Sequence, residues 1–163
     1  MHTGVGHRFL PLHKDGIYHP NQVAQTGGAS SARGPLVLIV EDDPETRQFY
    51  AHVLGDQGFR TAQAHNGHQA LEKARADAPD LVLADIALPG MDGIELCRQL
   101  RAEDRTRAIR FLAITGYGDR HYVDRARSAG ADLVLTKPCD ADTLVAEARR
   151  LLSVAVPARN QNG

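Results

Sequence analysis

From Pro35 onward, short unbroken apolar runs alternate with longer amphipathic stretches. Leu36 to Val40 has the pattern of a buried strand, and Pro44 to Gln57 follows with Phe49, Tyr50, Val53 and Leu54 at helical spacing before Gly58. Phe59 to Ala64 is a weaker strand. Asn66-Gly67 then opens a helix whose inward positions are Ala70, Leu71, Ala74 and Ala78, stopped by Pro79. Leu81 to Ala84 is a third strand; beyond the Pro89-Gly90 turn, Asp92 and Glu95 sit as a capping box ahead of Ile94, Cys97 and Leu100. Phe111 to Ile114 and Leu133 to Leu135 are the fourth and fifth strands. Between them a helix around Tyr122 to Ala129 ends at Gly130, and a last helix runs from about Asp140 to Leu152. Strands that are apolar throughout, each followed by a helix, predict an α/β fold: a five-stranded parallel sheet with helices on both faces. Right-handed crossovers make such a sheet open and doubly wound, with ligands bound outside the carboxyl ends of its strands.

Residues 1–34 break this pattern. Glycines, Pro11, Pro20 and Ser30-Ser31 dominate, and apolar periodicity is absent, so the expectation is a disordered arm, a domain over 35–153 and a frayed tail over 154–163. His2, His7, His13 and His19 in the arm read as solvated imidazoles, because no cysteine or acidic cluster joins them to fix a metal geometry. The 163 residues fit one domain. With 19 Lys plus Arg against 20 Asp plus Glu, the chain has no charge excess to steer it toward nucleic acid or anionic lipid. No apolar run approaches the roughly 20 residues needed to cross a bilayer, and Pro11 interrupts Phe9-Leu10 where a secretory signal would need its apolar segment. Cys97 and Cys139 lie far apart without metal-ligand or redox spacing, so a cytoplasmic location is expected.

The strand ends carry the chemistry. The first closes in Glu41-Asp42-Asp43, the third in Asp85, the fourth in Thr115 and the fifth in Lys137-Pro138. Carboxylates about 4 Å apart repel by roughly 4 kcal/mol at an effective dielectric of 20, so Glu41, Asp42 and Asp85 on one rim call for a cation. Hard oxygen ligands without imidazole or thiolate suit Mg²⁺, a metal commonly shared with phosphate. Adding the Lys137 ammonium and the Thr115 hydroxyl assembles the parts needed to take up a phosphoryl group on a carboxylate.

Taken together, Leu36-Val37-Leu38-Ile39-Val40-Glu41-Asp42-Asp43, Asp85-Ile86-Ala87-Leu88-Pro89-Gly90-Met91-Asp92-Gly93, Thr115-Gly116 and Lys137-Pro138 resemble the receiver domain of two-component response regulators over residues 35–153. The resemblance implies a flavodoxin-like sheet of strand order 2-1-3-4-5, an order for which receivers are a standard example. It also implies that Asp85 is the phosphoacceptor and that Glu41, Asp42, Asp85 and the backbone carbonyl of Ala87 hold Mg²⁺. Thr115 and Lys137 would contact the phosphoryl group, and the Lys137–Pro138 bond would be cis. The implied partners are a sensor histidine kinase or phosphotransfer protein that donates the phosphoryl group, and a downstream protein reached by protein–protein contact. Neither nucleic acid nor membrane is expected as a partner, and no turnover of an external substrate.

Single residues carry less than their conjunction. Asp43, ahead of Pro44, reads as a helix cap rather than a ligand, Cys97 as core, Cys139 as structural, and His52, His65, His68 and His121 as surface. Two positions depart from the family pattern or bear on output. Val134 stands where receivers commonly carry Tyr or Phe, and Tyr117 lies where partners or hydrolytic water would approach. The few residues after the last helix leave no room for a DNA-binding module, which directs the expected output to protein contact. Val134 keeps open a second reading, a phosphorylation-independent adaptor of the same fold. A phosphohydrolase ranks below both, since the haloacid-dehalogenase-like DxD pattern is absent after the first strand.

Overall fold

The computed structural model describes residues 34–116 and 120–153. The arm, its four histidines, the tail and Tyr117 lie outside the described residues. The elements run β1 (Leu36–Val40), α1 (Pro44–Asp56), β2 (Arg60–Ala64), α2 (Gly67–Asp77), β3 (Leu81–Asp85), α3 (Gly93–Ala102), β4 (Arg110–Thr115), α4 (Arg120–Ser128), β5 (Leu133–Thr136) and α5 (Ala141–Ser153). All strand pairs are parallel and the order is β2-β1-β3-β4-β5. This is the doubly wound parallel sheet that the strand–helix alternation predicts, in the flavodoxin-like strand order that the resemblance implied.

Because successive strand residues point to opposite faces, each central strand feeds two cores. Leu38, Val40, Val82, Ala84, Phe111 and Ala113 pack with α2, α3 and α4 through Ala70, Leu71, Ile94, Cys97, Leu100 and Ala126. Val37, Ile39, Leu81, Leu83, Leu112 and Ile114 face α1 and α5, where Tyr50, Leu54, Leu144, Val145, Ala148 and Leu151 close the other side. Strands with no solvated face explain why the sequence shows continuous apolar runs.

Helix starts follow local chemistry. Asp43 caps α1 by accepting from Thr46 N at 2.8 Å and Thr46 Oγ1 at 2.6 Å, with Pro44 at the start of the helix. Asn66 caps α2 by accepting from Gln69 N, and Asp92 caps α3 by accepting from Glu95 N. Three local expectations need correction. Phe49 is 48% exposed, since Tyr50 and Leu54, four apart, take the face of α1 turned to the sheet and leave Phe49 on its flank. Ala78 is exposed and left-handed (φ 44°), because the following Pro79 disfavours right-handed helix at this position. Only half of the capping box forms: the Glu95 carboxylate turns to Gln99 and Arg98.

The amino end of the last two strands is tied by charge. Asp132 accepts from Arg101 Nη2 at 3.0 Å, from Arg110 Nη1 at 3.4 Å and from Phe111 N at 2.8 Å, while Asp132 N donates to Phe111 O. Arg101 also donates to the carbonyls of Gly130, Arg107 and Ile109. Its guanidinium thereby fastens α3 to the loops before β4 and β5.

Candidate functional site

Parallel strands that end together bring their terminal side chains to one rim. Val40 is in register with Ala84, so Glu41 and Asp85 emerge side by side. Asp85 is in register with Ile114, and Thr115 with Thr136, the residue before Lys137. Carboxylate oxygens of Glu41, Asp42 and Asp85 lie within 4.8 Å of one another. Lys137 Nζ reaches Asp85 Oδ2 at 2.7 Å and Glu41 Oε2 at 3.4 Å. Of the sequence-predicted residues, the structure therefore gathers Glu41, Asp42, Asp85 and Lys137 directly. Thr115 is fully buried at the end of the neighbouring strand, where its carbonyl receives the Lys137 N–H at 2.8 Å. Ala87 joins the site through its own N–H, which donates to Asp85 Oδ1 at 2.9 Å.

Each group is aimed by a second contact. Glu41 is 2% exposed, and its Oε1 accepts from Asp43 N at 3.1 Å. The loop after β3 is folded back by Gly93 N donating to Ile86 O, and a Cβ on Gly93 would stand 2.4 Å from Asp85 O. Only glycine permits that approach, so the loop carrying Ala87 can press against the end of β3. The Lys137–Pro138 bond is cis, as the resemblance implied.

Crowded acids shape the electrostatics. Burial pushes Glu41 up to about 7, helped by the charge of Asp85 and opposed by the Asp43 N–H and by Lys137. Burial works against the charge on Lys137, but its hydrogen bond to Asp85 and the charges of Asp85 and Glu41 outweigh it and hold the ammonium above its ordinary value. With all three carboxylates ionised, the state a metal ion selects, one ammonium leaves a formal deficit equal to one divalent cation. All-oxygen donors and that deficit fit Mg²⁺.

Outside this cluster, Cys97 is buried, and burial together with Asp140 raises the half-buried Cys139 thiol above its usual value, which suits packing rather than thiolate chemistry. His52, His65, His68 and His121 are exposed. Val134 is half-buried against the α2–α4 core. Sequence reasoning missed Arg47, which bonds the backbone just after β1; an arginine in the first turns of an amphipathic helix gives no local sign of that reach.

A doubly wound parallel sheet with a carboxylate cluster and a lysine at its carboxyl rim defines a narrow class of α/β proteins. The family model for the response regulator receiver domain matches residues 37–149, and the chain belongs to that family. Sporulation initiation phosphotransferase F of Bacillus subtilis is 37% identical over 108 residues, covering 66% of this chain and 86% of that protein. The DNA-binding response regulator MtrA of Mycolicibacterium smegmatis is 40% identical over 116 residues, 71% of this chain but 50% of that protein, so the match spans about half of the DNA-binding relative. Among solved structures, the receiver domain of a sensor histidine kinase from Pseudomonas aeruginosa, with a magnesium ion coordinated in its active-site cleft, superposes with a TM-score of 0.70 at 27% identity. That superposition covers 74% of this chain and 99% of that one. The chain is thus a receiver domain homologous to two-component response regulators. Among the described residues, no helix is long and apolar enough to cross a membrane.

Proposed function

We propose that residues 35–153 form a Mg²⁺-dependent phosphoacceptor unit that receives a phosphoryl group on Asp85 from a phosphohistidine of a sensor histidine kinase or phosphotransfer protein. The observation that carries this reading is the juxtaposition of Glu41, Asp42 and Asp85 with Lys137 on a single rim. Glu41, Asp42, Asp85 and the Ala87 carbonyl would hold the metal. When bound, the ion supplies positive charge that offsets repulsion between the incoming phosphoryl oxygens and the carboxylates. An Asp85 oxygen attacks phosphorus as the bond to the donor nitrogen breaks, and the electron pair leaves with the imidazole. Lys137 neutralises charge at the transferring group, and the Thr115 hydroxyl donates to one of its oxygens. The protein modifies itself and turns over no external substrate. Its output is contact with a downstream protein in the cytoplasm, with no nucleic acid or membrane partner.

The metal has a signature independent of phosphorylation. At a Mg²⁺ concentration 100 times its dissociation constant, linkage stabilises the folded protein by about 2.7 kcal/mol. Thermal unfolding of wild type is expected to shift upward with Mg²⁺ and to lose most of that shift in Glu41→Gln and Asp42→Asn. Equal shifts in all three proteins would remove these residues from the metal site.

Val134 favours attention to the adaptor reading, because an aliphatic side chain cannot perform an aromatic ring flip. The remaining transmitting element is the Thr115 hydrogen bond, worth roughly 1.5 to 3 kcal/mol to a charged acceptor. Thr115→Ala is expected to keep phosphorylation and lose the conformational response in amide-shift maps with and without a phosphoryl mimic. A wild-type response in the variant would remove Thr115 as the transmitting element, whereas no response to the mimic in wild type itself would support the phosphorylation-independent adaptor.

A further inference from the structure

Along an extended strand, successive side chains point to opposite faces, yet the adjacent Glu41 and Asp42 both present oxygens to Asp85. The chain must leave strand geometry between them, and it does: β1 ends at Val40 and a bend follows at Asp42 and Asp43. Something has to hold that bend against the repulsion of the carboxylates it gathers. Arg47, one turn into α1, is placed to do so. Its Nη1 donates to Glu41 O at 2.8 Å and approaches Asp42 O at 3.4 Å, while its Nε donates to Gln63 Oε1 on β2 at 3.3 Å. The Arg47 N–H also bonds Asp43 O at 3.0 Å, which locks the arginine to the loop it grips.

We propose that Arg47 is a positioning residue for the metal site: its guanidinium fixes the carbonyls of Glu41 and Asp42 and so aims both carboxylates at Asp85. The inference rests on the magnesium-site reading given above. Because the peptide unit is planar, fixing a carbonyl direction fixes ψ of the residue that owns it, and the side-chain directions of Glu41 and Asp42 follow. Glu41 N is held as well, donating to Ala64 O at 3.1 Å, so the Glu41 backbone is restrained on both sides. A planar guanidinium engages the carbonyls and Gln63 at once from separate nitrogens; an ammonium at the same place has its three donors on one atom and cannot span them in the same fixed geometry. The positive charge beside the acidic loop also offsets its repulsion before metal arrives.

The test is Mn²⁺ binding to the full chain, followed by electron paramagnetic resonance of the free ion, for wild type, Arg47→Gln, Arg47→Lys and Gln48→Ala. Gln48 is an exposed α1 neighbour outside the site and serves as the control for α1 itself. Arg47→Gln is expected to raise the dissociation constant roughly tenfold, the lower end for groups that orient metal ligands. Arg47→Lys is expected to fall between Arg47→Gln and wild type, and Gln48→Ala to match wild type. In phosphorylation assays, the Mg²⁺ concentration for half-maximal rate should rise by the same factor in Arg47→Gln, while the rate at saturating Mg²⁺ stays within about twofold of wild type. A merely structural role would lower that plateau instead. Wild-type Mn²⁺ affinity in Arg47→Gln, or a lowered plateau with unchanged affinity, overturns the proposal. If Arg47→Gln does not fold, wild-type affinity in Arg47→Lys overturns it. Absence of Mn²⁺ binding by wild type itself overturns the magnesium-site reading, and this inference with it.

Discussion

Asp85→Asn is expected to abolish the acid-labile phosphoryl group that wild type acquires from a small phosphodonor in Mg²⁺. The substitution removes the anionic nucleophile and little else. An asparagine carbonyl in the same place can still accept the Ala87 N–H that now donates to Asp85 Oδ1, so the β3 end keeps its local bond. Lys137 loses its 2.7 Å charge partner but keeps Glu41 nearby. Intact-mass measurement of the two proteins side by side reads the result directly: one added phosphoryl mass on wild type and none on the variant. Equal labelling would move the acceptor elsewhere, and labelling that survives removal of divalent metal would separate the acid cluster from the chemistry.

The largest loss of stability is expected from Asp132→Ala, at the opposite end of the sheet. The Asp132, Arg101 and Arg110 side chains are only 13%, 12% and 9% exposed. Removing one partner of a buried ion pair typically costs about 3–5 kcal/mol, because the opposite charge stays behind without compensation. Here Arg101 cannot swing into solvent without abandoning three carbonyls, and the Phe111 N–H that pairs β4 to the start of β5 loses its acceptor. Urea denaturation should show a much lower midpoint with little change in slope. Asp132→Asn, which retains an acceptor but no charge, should fall between the two. Since Phe111 stands about 13 Å along the strand from Thr115, phosphorylation of the folded variant should persist. A loss below about 1 kcal/mol would mean the network behaves as an exposed one.

These two ends of the sheet differ in how openly the sequence declares them. At the carboxyl rim, Glu41, Asp85 and Thr115 directly follow apolar runs and Lys137 follows one at a single residue's remove, so strand termination itself marks all four. Their mutual distances follow from parallel pairing. The Arg101–Asp132 contact spans 31 residues between a helix end and a loop. An arginine in the last turn of α3 already has a local explanation in the helix dipole, and nothing nearby shows that it crosses to another loop. Arg47 was hidden too, since two of its partners are the main-chain carbonyls of Glu41 and Asp42, which leave no trace in residue type, and the third, Gln63, lies on another strand. Phe49 was misplaced because four apolar residues over one and a half turns make a stripe wider than the sheet covers, and composition does not say which member is left out.

The two outer strands have a consequence for association between molecules. β2 and β5 end the sheet on either side, and an open strand edge is a template onto which a second chain can add. Neither edge invites this. β5 has four residues, Leu133–Thr136, with no fully buried position. β2 carries exposed Arg60, and its Gln63 carbonyl is occupied by the Lys73 ammonium from α2. The same Gln63 offers its side chain to Arg47, so basic groups stand over this edge from two helices. A short strand on one side and a lysine-plugged strand on the other bias the molecule against growing its sheet into a neighbour, even at the high local concentrations of a crowded compartment.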